Sequence, residues 1–427
     1  MSNLFFHHNF LNMHFPSWDI KLKTKAFLMA AALCFTGITG FSQRSHLAPT
    51  PPMGYMTWNF YADHITEQDV KSIADAMVTN GLVRLGYDYI FIDDGWQGGR
   101  DNRNNIIPDP IKFPSGIKAL ADYVHSKGIK LGIYSDAAPL TCAGYTASLH
   151  FEQQDAKTFA SWGIDYLKYD YCGAPSDKET AMKRYKTMAD ALSNSGRDIV
   201  FGICEWGGRQ PWTWGSEVGG NLWRIDGDIR DKWSASFDAP GTPTGGIGIL
   251  DAVNRNADLV AYAKPGAWND PDMLVVGLYG KKGPSGDLGG IGCNDIEYQS
   301  QMSLWCLQAA PLMITCDVAN MNAATKRILT NKEILAIDQD PLGKQAERKI
   351  NDNNWQVYLK TLSDGSYAIG ILNTDSTARK YNLALSQIGL SGKYTTLNVW
   401  TGEQKKNQSK LMYEVKAHET IVLKLKQ

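Results

Sequence analysis

Net charge, closely spaced cysteines and histidine pairs are what this sequence has least of. Its 43 basic side chains stand against 44 acidic ones, so no net field recruits nucleic acid or an anionic membrane surface, and a neutral ligand suits it better. No Cys-x-x-Cys occurs and no cysteine spacing repeats, which argues against a zinc framework. Ahead of the last hundred residues and past the N-terminal leader the histidines are His46, His64, His125 and His150 alone, with no His-x-His or His-Glu-x-x-His. A histidine-ligated metal enzyme is disfavoured on that ground. No Gly-rich phosphate loop follows the first apolar strand at Trp58, as a doubly wound nucleotide-binding sheet would require.

The longest uncharged apolar run, Ala26 to Gly40, is too short to span a bilayer. Preceded by Lys21, Lys23 and Lys25 and followed by Phe41-Ser-Gln43, it has the layout of a secretory signal, with cleavage expected near Ser42. Residues 1–42 are therefore read as a signal peptide with an N-terminal extension, Met13 being an alternative start. A lipoprotein anchor on Cys34 competes with this, but Leu33 directly before it makes a poor processing site. Export to the periplasm or beyond follows, with no membrane insertion once the signal is removed. The six remaining cysteines, Cys142, Cys172, Cys204, Cys293, Cys306 and Cys316, then sit where disulfides persist.

What is abundant is apolar and aromatic: 43% hydrophobic residues, 13 Trp and 19 Tyr, ample for a large core and for ring faces that stack on sugars. From about Pro49 to Pro341 one rhythm repeats, a short apolar strand ending in polar or acidic residues, a loop, then an amphipathic helix. Eight strands are expected: Met53 to Trp58, Tyr87 to Asp93, Ile129 to Tyr134, Ile164 to Tyr169, Ile199 to Cys204, Leu222 to Ile225, Ala267 to Asp270 and Leu312 to Cys316. A helix is expected at Glu67 to Asn80, with Val70, Ile73, Ala74 and Met77 as its apolar stripe and Thr66 as cap. This count and length predict an α/β fold, a (β/α)₈ TIM barrel over residues 43–342. From residue 343 to 427, short alternating strands (Trp355 to Leu359, Tyr367 to Leu372, Leu397 to Trp400, Thr420 to Leu425) predict a C-terminal antiparallel β-sandwich domain covering the barrel's flank.

Carboxylates collect where the barrel strands end: Asp93 and Asp94, Asp136, Asp170, Glu205, Asp226 and Asp228, Asp270 and Asp272. A lone Asp at such a place ordinarily caps a loop. Recurrence at six strand ends points instead to one acidic, aromatic-walled pocket mouth suited to a polyhydroxylated ligand. Two carboxyl groups cut a glycosidic bond, one protonating the leaving oxygen and one attacking the anomeric carbon or activating water. Alternation along Tyr166 to Cys172 puts Lys168 and Asp170 on one face. Lys168 is expected to keep Asp170 ionised as a nucleophile. Asp226 or Asp228, kept neutral by burial against Trp223 or Trp233, is expected to be the acid.

The stretches Pro52-Met-Gly-Tyr-Met-Thr-Trp58, Ile92-Asp-Asp-Gly-Trp96, Gly132-Ile-Tyr-Ser-Asp136, Thr141-Cys-Ala-Gly144, Leu167-Lys-Tyr-Asp-Tyr-Cys172, Cys204-Glu-Trp206, Trp268-Asn-Asp-Pro-Asp-Met273 and Asp338-Gln-Asp-Pro-Leu-Gly-Lys344 resemble the α-galactosidases of glycoside hydrolase family 27, also called melibiases. The resemblance runs from about Pro49 to the C-terminus. It implies a retaining exo-glycosidase that releases terminal α-D-galactosyl residues through a covalent galactosyl-Asp intermediate, with the two carboxyl groups about 5 to 5.5 Å apart and no metal or organic cofactor. By the same resemblance Asp170 is the nucleophile and Asp228 the acid/base. Asp93 and Asp94 hold the 4- and 6-hydroxyls, Trp58 lies under the ring, and Tyr134, Lys168, Cys204, Glu205, Trp206, Arg224, Asp272 and Met273 complete the substrate site. Cys142 and Cys172 match a disulfide that pins the nucleophile's loop.

Gly95 and Gly220 stand where animal lysosomal members have cysteines, so Cys204 is expected to be a free thiol. Cys293, Cys306 and Cys316 are expected to be buried thiols. Bulky Glu205 and Trp206 favour a 2-hydroxyl over an acetamido group. Two alternatives remain: a β-L-arabinopyranosidase of the same family, against which both Asp93 and Asp94 argue, and a catalytically silent sugar-binding barrel, against which the carboxylate pair argues.

Overall fold

The computed structural model describes residues 46–235, 246–281, 283–286 and 290–427; the proposed signal lies outside them. Eight parallel strands form one sheet: β1 (Met53–Met56), β2 (Tyr89–Ile92), β3 (Lys130–Asp136), β4 (Tyr166–Asp170), β5 (Val200–Ile203), β6 (Leu222–Arg224), β7 (Trp268–Asp270) and β8 (Leu312–Ile314). Their order is β8-β1-β2-β3-β4-β5-β6-β7. Leu274, beyond β7, bridges Ile314 in parallel and closes the ring. Each expected strand is present; six are shortened at one or both ends, while β3 and β4 start later and run on at their carboxyl ends to Asp136 and Asp170.

Helices α1 (Glu67–Thr79), α2 (Gly116–Ser126), α3 (Glu152–Trp162), α4 (Lys178–Ser193), α5 (Ile249–Ala257), α6 (Asp295–Leu307), α7 (Ala323–Leu329) and α8 (Lys332–Asp338) wrap the strands. Thr66 caps α1 as expected, in a capping box closed by Asp69, while Val70, Ile73, Ala74 and Met77 are buried. The eightfold strand-helix rhythm fails at one place. Between β5 and β6 only a 3₁₀ turn forms, Pro211–Thr213, because Gly207, Gly208, Pro211, Gly215, Gly219 and Gly220 oppose a continuous helix.

The C-terminal part holds twice the strands read from sequence. Strands β9 (Glu347–Asp352), β10 (Trp355–Thr361), β11 (Tyr367–Asn373), β12 (Arg379–Ala384), β13 (Tyr394–Asn398), β14 (Gln404–Gln408), β15 (Lys410–Val415) and β16 (Thr420–Lys426) make a six-stranded sheet β9-β10-β11-β16-β13-β14 faced by the pair β12-β15. The expected strand at Leu397 to Trp400 is displaced: pairing runs from Tyr394 to Asn398, and Val399-Trp400 enters the turn. Alternation gives the larger sheet two apolar faces. Trp355, Val357, Ile369, Ile371, Leu423 and Leu425 pack toward the small pair. Tyr358, Ala368, Leu372 and Val422 join the barrel's own core, so one sheet serves two hydrophobic interiors.

Candidate active site

The carboxyl ends of the barrel strands surround a cavity of about 130 Å³ lined by Trp58, Asn59, Asp93, Asp94, Tyr134, Cys142, Lys168, Asp170, Cys172, Trp206, Arg224, Asp228, Asp272 and Met273. Period-2 alternation accounts for the selection. In β4, Lys168 and Asp170 point into the ring, while Tyr169 turns outward against Tyr185 of α4, ring centroids 5.9 Å apart.

Two ion-pair systems order this cavity. Lys168 Nζ donates to Asp93 Oδ2 at 2.8 Å, where the sequence placed its charge beside Asp170. The lysine therefore spans both acids, bonded to one and acting through space on the other. On the opposite wall Arg224 Nη2 lies 3.1 Å from Asp228 Oδ1 and 3.0 Å from Asp272 Oδ2. Asp272 also accepts from the Ile229 amide at 2.9 Å, which fixes the backbone next to Asp228. Asp170 accepts from the Tyr134 hydroxyl at 3.1 Å and from the Tyr171 amide at 3.0 Å.

The electrostatics reverse one expectation. Burial pushes Asp170 up to about 7, with Lys168 opposing and Asp228 adding to the rise. Asp228 is not buried against Trp223 or Trp233. Its side chain is 40% exposed, and although desolvation is the largest influence and acts to raise its pKa, Arg224, Lys168 and Arg230 together outweigh it and hold Asp228 below the ordinary carboxylate value. Of the two carboxyl groups, Asp170 is thus the one whose surroundings favour the proton. Asp94, raised to about 6 by burial, accepts from the Ala143 amide at 2.8 Å and so ties β2 to the loop after β3.

Cys142 and Cys172 form a disulfide that is itself part of the cavity wall. Cys204, Cys293, Cys306 and Cys316 are buried free thiols, as read from sequence. Two sequence-predicted substrate contacts lie elsewhere. Cys204 borders a smaller adjoining space, with Met56, Asp270 and Met313, which shares Lys168, Arg224, Asp272 and Met273 with the cavity. Glu205 turns into the body of the protein, where Arg209 Nε donates to its Oε2 at 2.6 Å and the guanidinium covers the Tyr171 ring at 4.6 Å. Its neighbour Trp206 reaches the cavity from a backbone at φ +47°. Gly207 follows at φ +74°, where a Cβ would meet the Ile225 carbonyl oxygen at 2.2 Å, so this turn admits only glycine. Asn59, which the sequence reading missed, lines the cavity and donates to the Ile229 carbonyl at 2.9 Å. Its place directly after Trp58 was the available signal.

The alpha galactosidase A family model matches residues 50–340, and the alpha galactosidase C-terminal beta sandwich domain model matches residues 352–425. The chain is 41% identical over 391 residues to alpha-galactosidase A of Cellvibrio japonicus, covering 89% of this chain and 92% of that one. Alpha-galactosidase I of Mortierella vinacea superposes with a TM-score of 0.81 at 35% identity, over 89% of this chain and 98% of that structure. A β-L-arabinopyranosidase of Geobacillus stearothermophilus has a TM-score of 0.77 over 90% of this chain and 98% of its own, but at 22% identity the likeness is one of fold. A barrel with a carboxylate-ringed mouth, a C-terminal sandwich on its flank and matches spanning both place this chain in the α-galactosidase family, the melibiases.

Proposed function

We propose that this protein hydrolyses terminal α-D-galactosyl groups with retention of configuration, Asp170 acting as nucleophile and Asp228 as acid/base. The observation that carries this is the placing of both carboxyl groups, in unlike surroundings, on one cavity that also presents two hydroxyl-gripping acids. Asp93, fixed by Lys168, and Asp94, fixed by Ala143, suit an axial 4-hydroxyl and a free 6-hydroxyl. Trp58 gives the ring an apolar floor. Trp206, without Glu205, is then the side chain that crowds a 2-substituent.

The reaction needs the proton on Asp228. A sugar ring in the cavity covers the exposed part of the Asp228 side chain, which favours its neutral form. Asp170, facing the developing positive charge at the anomeric carbon, is favoured as an anion. Asp228 then protonates the leaving oxygen while Asp170 attacks, and water activated by Asp228 frees galactose from the ester. We propose too that the protein is exported after signal removal; a disulfide in the cavity wall fits an oxidising compartment.

Aryl α-galactoside should be cleaved in strong preference to aryl β-L-arabinopyranoside at equal concentration. Asp170→Ala should leave no more than a trace of activity, and NMR of the first-formed sugar should show the α anomer. Equal cleavage of both substrates, a β product or an active Ala variant would each sink a separate part of this reading.

A further inference from the structure

Asp136, which the catalytic cycle does not use, ends β3 in register with Asp170 at the end of β4. It is fully buried. One of its carboxyl oxygens, one of Asp170 and the sulfurs of Cys142 and Cys172 all lie within 4.8 Å of one another; with the sulfurs bonded to each other, this group is two acids against a disulfide. Asp136 Oδ2 accepts from the Cys172 amide at 3.0 Å. Its Oδ1 is buried without a hydrogen-bond partner among the described residues. The charges that act on it most are those of Asp170 and Asp94, both acids, opposed by hydrogen bonds from the Cys172 and Ala138 amides. The nearby cation, Arg184, is engaged with the Ala137 carbonyl at 2.6 Å. Two carboxylates so close in a buried place cannot both ionise without a large penalty.

We propose that Asp136 is a positioning residue that stands beside the nucleophile as a neutral carboxylic acid, so that Asp170 is the one anion of the pair and departs readily when the galactosyl ester breaks. This rests on Asp170 being the nucleophile. In ester breakdown water adds to the anomeric carbon and its proton passes to Asp228. The bond from that carbon to Asp170 breaks, and its electron pair returns to the Asp170 carboxylate. A charged Asp136 would repel the carboxylate being released, just as it would favour a proton remaining there, and would slow the step. Beside a free Asp170 carboxylate, burial and that charge push Asp136 up to about 9; in the ester, where Asp170 carries no charge, burial is what holds the proton on Asp136 until the carboxylate is released.

The test uses the whole protein stalled as a galactosyl ester with a fluorinated galactosyl fluoride, following the rate of reactivation against pH. Asp228 acts here as a base, so its ionisation gives no alkaline loss. The wild type should lose about tenfold or more of its reactivation rate as Asp136 ionises, and Asp136→Asn should stay flat. Infrared spectra with carbon-labelled aspartate at about pH 8, between the Asp170 and Asp136 transitions, should show a protonated carboxyl in wild type that is missing from Asp136→Asn; the contribution of Asp338 cancels in the difference. A flat wild-type profile, or no difference band, overturns the proposal. Should the Asn variant fail to fold, the wild-type profile alone decides. Mass mapping of the ester separates the two readings: a label away from Asp170 rejects the assigned nucleophile, whereas a label on Asp170 with a flat profile rejects only the role of Asp136.

Discussion

In the proposed roles, Asp170 and Asp228 share one proton over the working range, and their surroundings set where that range ends. Above about pH 7 Asp170 ionises and the pair has no proton left to give. At the acid end activity is lost only when Asp228, depressed by Arg224, takes up a second one. A bell-shaped kcat/KM profile is therefore expected, with an alkaline limb near 7 and an acid limb below the ordinary carboxylate value; these limbs belong to the pair. Lys168→Met tests the charge spanning the site. Without the cation Asp170 retains its proton to higher pH, so the alkaline limb should move up by about one to two pH units, with a rise in KM as Asp93 loses its anchor. An unmoved limb would show that Lys168 serves Asp93 alone.

At the scale of elements, the loop from Cys142 to Cys172 encloses α3 and β4 and is closed by the disulfide, at a sequence separation of 30. Replacing both cysteines by serine should lower unfolding free energy by about 3 to 4 kcal/mol on the chain-entropy account, as measured by denaturant titration. Activity should fall further than stability alone explains, because the same bond walls the cavity. The barrel strands were legible because each is an apolar run with a polar end, and Lys168 with Asp170 because period 2 leaves no other choice of face. Strands β9, β12, β14 and β15 were not: sequences such as Gln404–Gln408 carry almost no apolar signal, and their pairing is set by neighbours distant in sequence. Glu205 was misplaced for a related reason. Its direction depends on the positive-φ turn at Trp206 and on the partner Arg209, which spacing alone does not reveal.

For the whole molecule, the two-faced C-terminal sheet makes the sandwich and the barrel one folding problem. Lys360 of β10 is buried and donates to the Cys306 carbonyl of α6 at 3.0 Å, with buried Asp338 of α8 as its electrostatic partner. Burial pushes the two in opposite directions, Asp338 up and Lys360 down. Lys360→Met would leave Asp338 without that partner and the Cys306 carbonyl without its donor. It should cost about 1 to 3 kcal/mol, the penalty for a buried carbonyl left without its donor, seen as a lower melting temperature with the kcat of the folded fraction retained.

The bond between Cys142 and Cys172 gives the cavity a history as well as a wall. A chain held where thiols stay reduced would possess every acid the chemistry calls for and yet lack one side of the vessel in which they meet. Hydrolytic competence would then arrive with oxidation after the chain is made, and assays on protein folded under reducing conditions would report the compartment before they reported the enzyme.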